Sequence, residues 1–333
     1  MSPLRLAVIG TGLIWKRTHR PILESMGDMF VPVAFAELSD QRREELGRDF
    51  PGVPIFRDYR DALALPRVDA ALVLTPIAQN APVAHAALMA GKDVIMEKPI
   101  ARSVAEGRAL LAMARQQGRQ IYVTEQLAYR AAEQELAALL ARGAVGELVS
   151  WNCVHHLEGD QAVGALRYET TLWRKEADFP LGTMFDGGVH LIAALATVFG
   201  APEAVSATGR KLRPAYGAYD HVAALFRYQG GLVGMLSFSS YLPPDQNHLH
   251  VRGTAGTILV EPGQLVVRGP GQPEQVVALP EENVYVQMWR TLGAAAVERR
   301  APPYTAERAL RDVATLEAVD RAISSGAWAE VAR

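Results

Sequence analysis

Along the first third of the chain, short runs of apolar residues alternate with segments whose apolar positions recur every three or four residues. This pattern predicts strands at 4–9, 31–36, 55–56, 70–74, 93–96 and 120–123. Between them it predicts helices over 15–26, 40–48, 59–65, 81–90 and 104–117. The strands carry little apolar–polar alternation, as a parallel sheet covered on both faces by helices requires. After a helical stretch at 133–142 the texture changes. Strand-like runs follow at 147–155, 204–210, 221–228, 232–239, 248–251, 257–260, 265–268 and 275–278. Turn signals separate them, among them Gln229-Gly230-Gly231, Pro243-Pro244 and Gly253-Thr254-Ala255-Gly256. Strands this closely spaced predict a large, mostly antiparallel sheet, with helices over 284–299 and 305–324 closing the chain. The fold class is therefore α/β in two units, and the change of texture falls near residues 122–130.

Composition narrows the function more than the fold. With 333 residues, 49% of them hydrophobic, the chain is long enough for two packed domains. A formal net charge of −2 offers no basic surface to nucleic acid. The single cysteine, Cys153, excludes an internal disulfide framework and a cysteine-ligated zinc or iron–sulfur site. No apolar run approaches the ~18 residues of a membrane span, and the chain opens on a strand without a secretory leader pattern. No membrane partner and a cytoplasmic location are the expectations. Only five of the 34 basic residues are lysines (16, 92, 98, 175 and 211), so each lysine invites a question about its role.

The first candidate site is Gly10-Thr11-Gly12-Leu13-Ile14-Trp15, which follows a predicted strand and opens a predicted helix. Gly10 permits a tight turn, and Gly12 lets the backbone approach a pyrophosphate at a helix N-terminus. Glu37 ends the second strand 25 residues beyond Gly12, near the roughly 20-residue spacing of a ribose-diol ligand. An acid there favours NAD by repelling a 2′-phosphate, while Arg42 and Arg43 downstream soften that repulsion and leave NADP open. Two further strands end in polar residues, at Thr75-Pro76 and at Glu97-Lys98-Pro99. The carboxyl ends of strands are where open α/β sheets bind ligands.

A third group lies at Trp173-Arg174 and at Asp186-Gly187-Gly188-Val189-His190. If Asp186 opens a helix, His190 follows one turn later on the same face. The two glycines would leave that turn bare for a ligand. Histidine is the natural base for an alcohol proton near neutral pH. Each piece has an ordinary structural explanation when taken alone.

Taken together, these motifs resemble the glucose–fructose oxidoreductase / inositol dehydrogenase / rhizopine-catabolism (Gfo/Idh/MocA) family over nearly the whole length. The matching residues are G-x-G at 10–12, the acid at 37, T-P at 75–76 and A-G-K-x-V-x-x-E-K-P at 90–99. W-R at 173–174, D-x-G-x-H at 186–190 and G-T-x-G-T at 253–257 complete them. The resemblance implies a Rossmann domain over 1–124 that binds NAD, or else NADP. It implies a substrate-binding and oligomerisation domain over 125–333. Cofactor contacts would come from Gly10, Gly12, Leu13, Ile14, Glu37, Thr75, Pro76, Asn80, Glu97 and Lys98. The implied reaction transfers a hydride between nicotinamide and a secondary alcohol or ketone of a sugar, sugar derivative or cyclitol. His190 would act as acid/base, Lys98 would stabilise the reacting oxygen, and Asp186 would orient the substrate and balance the lysine. Association through the open face of the second sheet implies a homodimer or homotetramer.

Some positions depart from the family pattern. Ala193 stands where many inositol-dehydrogenase-like members carry another acid, so their polyol specificity is not carried over. Asn80 stands where histidine is common. Trp15 occupies the small-residue position of the glycine loop, so its indole is expected to point away from the strand, toward the domain cleft or cofactor, rather than under the helix. Tyr129, Arg130, His155, Trp173 and Arg174 are substrate-pocket candidates, with Tyr241 and His248 as weaker ones. His155 and His156 point to opposite faces of a strand, so they form no chelating pair and no metal site is expected. Two other functions remain open: an NAD-dependent glycoside hydrolase using transient oxidation, and a non-catalytic NAD(P)-sensing regulator.

Overall fold

The computed structural model describes residues 2–157, 171–243, 247–271 and 273–333. Pro244 of the Pro-Pro turn lies outside them. In chain order the first part contains β1 (Leu4–Ile9), a π-type turn (Trp15–His19), α1 (Arg20–Glu24), β2 (Phe30–Ala36), α2 (Asp40–Asp49) and β3 (Ile55–Phe56). It continues with α3 (Tyr59–Leu63), β4 (Ala70–Val73), α4 (Ile77–Met89), β5 (Asp93–Glu97), α5 (Val104–Gln117) and β6 (Ile121–Thr124). Next come α6 (Ala131–Ala141), β7 (Leu148–His156), α7 (Leu172–Lys175), α8 (Thr183–Asp186) and α9 (Gly188–Phe199). Strands β8 (Ala204–Arg210), β9 (His221–Arg227), β10 (Val233–Ser239) and β11 (His248–Gly253) follow. Then come β12 (Gly256–Glu261), β13 (Gln264–Arg268) and β14 (Gln275–Ala278). The chain ends with α10 (Val284–Glu298), α11 (Ala306–Ser325) and β15 (Ala329–Glu330). Among the described residues, no helix is long and apolar enough to cross a membrane.

In the first unit the six strands pair in parallel in the order β3-β2-β1-β4-β5-β6. The apolar runs do what their lack of alternation requires: Leu6 to Val8, Ala70 to Val73 and Val94 to Met96 are all 0% exposed. From β1 the chain winds outward through β2 and β3, then returns and winds the other way through β4, β5 and β6. The reversal falls between β1 and β4, the topological switch where such sheets bind ligands. Helix α4 begins one turn before the predicted start at 81, with Pro82 inside it.

Trp15 corrects the sequence reading. It is 1% exposed and packs edge-on against Phe35 of β2, with ring centroids 5.8 Å apart, and against Phe50 at 6.4 Å. The indole is core, not a cofactor contact. The widened turn Trp15–His19 accommodates it where a small residue would let an ordinary helix sit closer.

The domain division also differs from the continuous 125–333 unit expected. Residues Met1–Gln126 and Asn283–Leu310 form one compact unit, and Leu127–Glu282 with Arg311–Arg333 form the other. Helix α10 therefore belongs with the parallel sheet. Trp289 is 0% exposed against Phe30, centroids 5.2 Å apart, and Tyr122 Oη donates to the Ala295 carbonyl at 3.3 Å. A Cβ on Gly293 would lie 2.6 Å from the Phe30 ring, so glycine lets α10 come this close.

The second unit is a nine-stranded sheet in the order β14-β13-β12-β11-β7-β10-β9-β8-β15. Only the β7–β10 pair is parallel. One face carries Trp151, Phe226, Leu236, Phe238, Val251 and Ile258, all 2% exposed or less. Trp151 stacks on Phe199 of α9 at 5.6 Å, and a Cβ on Gly234 would sit 2.1 Å from the indole. The opposite face leaves Leu225, Val233 and Met235 about two-fifths exposed.

Candidate active site

The glycine loop leaves β1 at the switch point. Gly10 has φ +85°, and a Cβ there would lie 2.7 Å from the Leu74 carbonyl oxygen, so only glycine fits between β1 and β4. A Cβ at Gly12 would meet nothing within 4 Å, so the backbone here borders open space, as a pyrophosphate cradle requires. Leu13 and Ile14 follow, and the Lys16 amide donates to the Gly12 carbonyl to start the helical turns. These residues fit a bound dinucleotide.

Glu37 is 4% exposed and tied to this loop. Its Oε2 accepts from the Thr11 amide at 2.9 Å and the Thr11 hydroxyl at 2.8 Å. Its Oε1 accepts from the Ser39 amide at 2.9 Å and Arg42 Nη2 at 2.7 Å. Burial disfavours the charged carboxylate, but hydrogen bonds from Arg42, Ser39 and Thr11 outweigh it and hold the carboxyl at about 2. The folded value thus lies below the ordinary 4.5, so the stabilisation is full above pH 4.5 and fades as pH falls toward 2. At neutral pH it is at most about 3 kcal/mol. Glu37→Gln is expected to lower the urea midpoint at pH 7, with the difference from wild type shrinking between pH 4.5 and pH 3. A gap that stays constant over that range would show that the carboxylate charge is not what holds the loop.

At the next two strand ends, Thr75 and Pro76 lead into α4, and Glu97 and Lys98 close β5. Asn80 corrects its assignment as a cofactor contact. It is 0% exposed, and its amide is engaged within the chain. Oδ1 accepts from the Thr75 hydroxyl at 3.0 Å, while Nδ2 donates to the carbonyls of Glu97 at 3.1 Å and Pro99 at 3.3 Å. Those carbonyls flank Lys98, so Asn80 braces the lysine's backbone from both sides. The Lys98–Pro99 peptide is cis.

In the second unit, Asp186 does not open a helix. It ends α8, whose backbone remains helical through Gly187 (φ −87°, ψ −41°) into α9, so His190 still lies one turn on. Gly188 is buried, and a Cβ there would lie 2.4 Å from Met184 Sδ. Its missing side chain serves helix packing and not ligand access. Arg174 Nε donates to Asp186 Oδ2 at 2.5 Å, and its guanidinium lies 4.0 Å from the Trp173 ring centroid.

His155 stacks parallel to Phe238, its partner across the β7–β10 register, at 6.4 Å. Burial, then the nearby charges of Arg130, His156 and His190, push its imidazole down to about 4, so it is neutral at pH 7. His156, the next residue on β7, turns to the other face, where its Nε2 lies 3.0 Å from the Ser237 hydroxyl. Arg130 Nε donates to the buried Glu133 at 2.6 Å. Tyr129 is 2% exposed, leaving little of its ring for a substrate.

Residues 4–125 match the GFO_IDH_MocA oxidoreductase family, NAD-binding Rossmann fold, and residues 134–259 match the GFO/IDH/MocA C-terminal domain. Mouse trans-1,2-dihydrobenzene-1,2-diol dehydrogenase is 31% identical over 278 residues, covering 80% of this chain and 78% of that protein. An oxidoreductase from Thermotoga maritima superimposes with a TM-score of 0.90 at 26% identity, covering 99% of this chain and 98% of that one. Levoglucosan dehydrogenase, in complex with NADH and levoglucosan, has the same fold, with a TM-score of 0.86 at 19% identity over both whole chains. The glycine loop at the switch point and the two matched domains lead to one conclusion: the chain belongs to the Gfo/Idh/MocA family of NAD-binding oxidoreductases.

Proposed function

We propose that the protein transfers a hydride between NAD(P) and a secondary alcohol or ketone on a sugar-like ring. The reading is supported by the groups that each unit carries. The first presents Glu97-Lys98 at the carboxyl edge of a sheet whose glycine loop fits a dinucleotide. The second presents Asp186 and His190 one helical turn apart.

When bound, nicotinamide accepts or donates the hydride. His190 removes the hydroxyl proton as the carbonyl forms, and returns it in the reverse direction. Lys98, as ammonium, hydrogen-bonds the same oxygen and stabilises its developing charge. Asp186, held by Arg174, orients a neighbouring substrate hydroxyl, and Trp173 and neutral His155 border the substrate. Ionised Glu37 favours NAD, with NADP as the alternative. The dihydrodiol and levoglucosan in the relatives' names both support a cyclic alcohol as substrate. The half-exposed apolar residues of the second sheet's open face support pairing with a second copy.

The test is a panel of cyclic polyols, sugars and anhydrosugars, each assayed with NAD+ and NADP+ at 340 nm. Reduction of the nicotinamide by at least one ring alcohol is expected. Stoichiometric cofactor binding with no absorbance change across the panel would overturn the proposal.

A further inference from the structure

His19 is 0% exposed and sits in the turn that follows the glycine loop. Its ring lies between two fixed partners. Trp289 Nε1 donates to its Nδ1 at 3.0 Å, and its Nε2 is 2.8 Å from Glu97 Oε1. An indole N–H can only donate, so Nδ1 carries no proton. The single ring proton therefore resides on Nε2 and is donated to the carboxylate. Trp289 also packs edge-on to the imidazole, with centroids 5.6 Å apart, and to Phe30, so α10 fixes both the tautomer and the ring plane.

Glu97 receives this bond on one oxygen only. The Thr124 hydroxyl lies 2.9 Å from the same Oε1. Both of these bonds fall on Oε1, and the carboxylate stands at the carboxyl end of β5, beside Lys98 in the chain. Burial disfavours the charge, but His19, the nearby Lys98 and Thr124 together keep the carboxyl below its ordinary value. A rigid, ionised acceptor at this edge suits a vicinal diol.

We infer that His19 is a positioning residue of the cofactor site: locked as its Nε2–H tautomer by Trp289, it holds Glu97 so that Oε2 faces the nicotinamide-ribose hydroxyls. The inference rests on reading the Glu97-Lys98 edge as the nicotinamide end. A purely structural His19 would lower stability without distinguishing between ligands, whereas a positioning role discriminates between them.

Calorimetric titration with NAD+ and with ADP, which lacks the second ribose, separates the two. His19→Leu is expected to weaken NAD+ by about tenfold or more, the loss expected when a charge-assisted hydrogen bond goes, and to leave ADP unchanged. His19→Gln, whose amide offers one donor and one acceptor, should recover most of the NAD+ affinity. In wild type, 15N NMR should show the His19 ring proton on Nε2 and not on Nδ1, a readout that needs no variant to fold. The proposal is overturned if NAD+ and ADP weaken together, if NAD+ is unaffected, if glutamine does not rescue, or if Nδ1 carries the proton. Unimpaired turnover in Lys98→Ala would instead defeat the reading of the reaction and leave this ligand comparison standing.

Discussion

Lys98→Ala is expected to lower kcat by about two to three powers of ten while changing the NAD+ dissociation constant by less than about threefold. The asymmetry follows from when the charge is needed. The substrate hydroxyl is neutral in the ground state, and negative charge gathers on its oxygen only as the hydroxyl proton leaves. An ammonium at that oxygen therefore stabilises the transition state more than the bound alcohol. His190→Ala is expected to cost at least about two powers of ten by removing the proposed proton acceptor. On the proposed mechanism both residues serve one oxygen, so the double variant is expected to fall short of the product of the single losses. Stopped-flow measurement of nicotinamide absorbance reads turnover, and calorimetry reads binding. A fall in affinity as large as the fall in kcat would mean that Lys98 only anchors cofactor.

Arg174 Nε donates to Asp186 Oδ2 within one unit. Close, partly buried ion pairs hold geometry more reliably than they add stability, which suits a carboxylate proposed to orient a hydroxyl.

What the sequence made legible is local. The strands are apolar runs whose burial needs no knowledge of the rest of the chain, and Leu4–Ile9 falls where its pattern places it. Gly10 was readable because its positive φ and its contact with Leu74 both exclude a side chain. Asp186 and His190 were readable because a helical turn fixes their spacing, even though the helix starts earlier than expected. What was missed depends on distant partners. Helix α10 is amphipathic, and nothing in such a stripe says which of two cores it joins. The His19–Trp289 contact spans 270 residues. Lysine scarcity also proved a weak guide: Lys92 donates to the carbonyls of Leu65 and Val68, a structural use the count could not tell from that of Lys98.

Trp15 sets the largest stability prediction. Its side chain is among the largest fully buried ones, wedged against Phe35 and Phe50. Trp15→Ala removes that area and leaves a cavity lined by aromatic rings that cannot collapse into it, at a cost of about 3–5 kcal/mol. In a unit of this size that lowers the thermal midpoint by roughly 10 °C. Trp15→Phe keeps an aromatic edge and is expected to recover more than half of the loss. The alternative role, an indole facing the cofactor, makes the opposite prediction: an unchanged midpoint with weakened NAD+ binding. At a temperature where the alanine variant is folded, its NAD+ affinity should therefore stay within about threefold of wild type, because Gly10 and Gly12 supply the loop's backbone and Glu37 still ties Thr11 in place. The departure at the third small position is then a change in how the helix packs on the sheet, absorbed by the wider turn at Trp15–His19. The same turn carries His19 into its contact with Trp289, so a residue that looked like damage to the fingerprint lies within the segment that delivers the buried histidine.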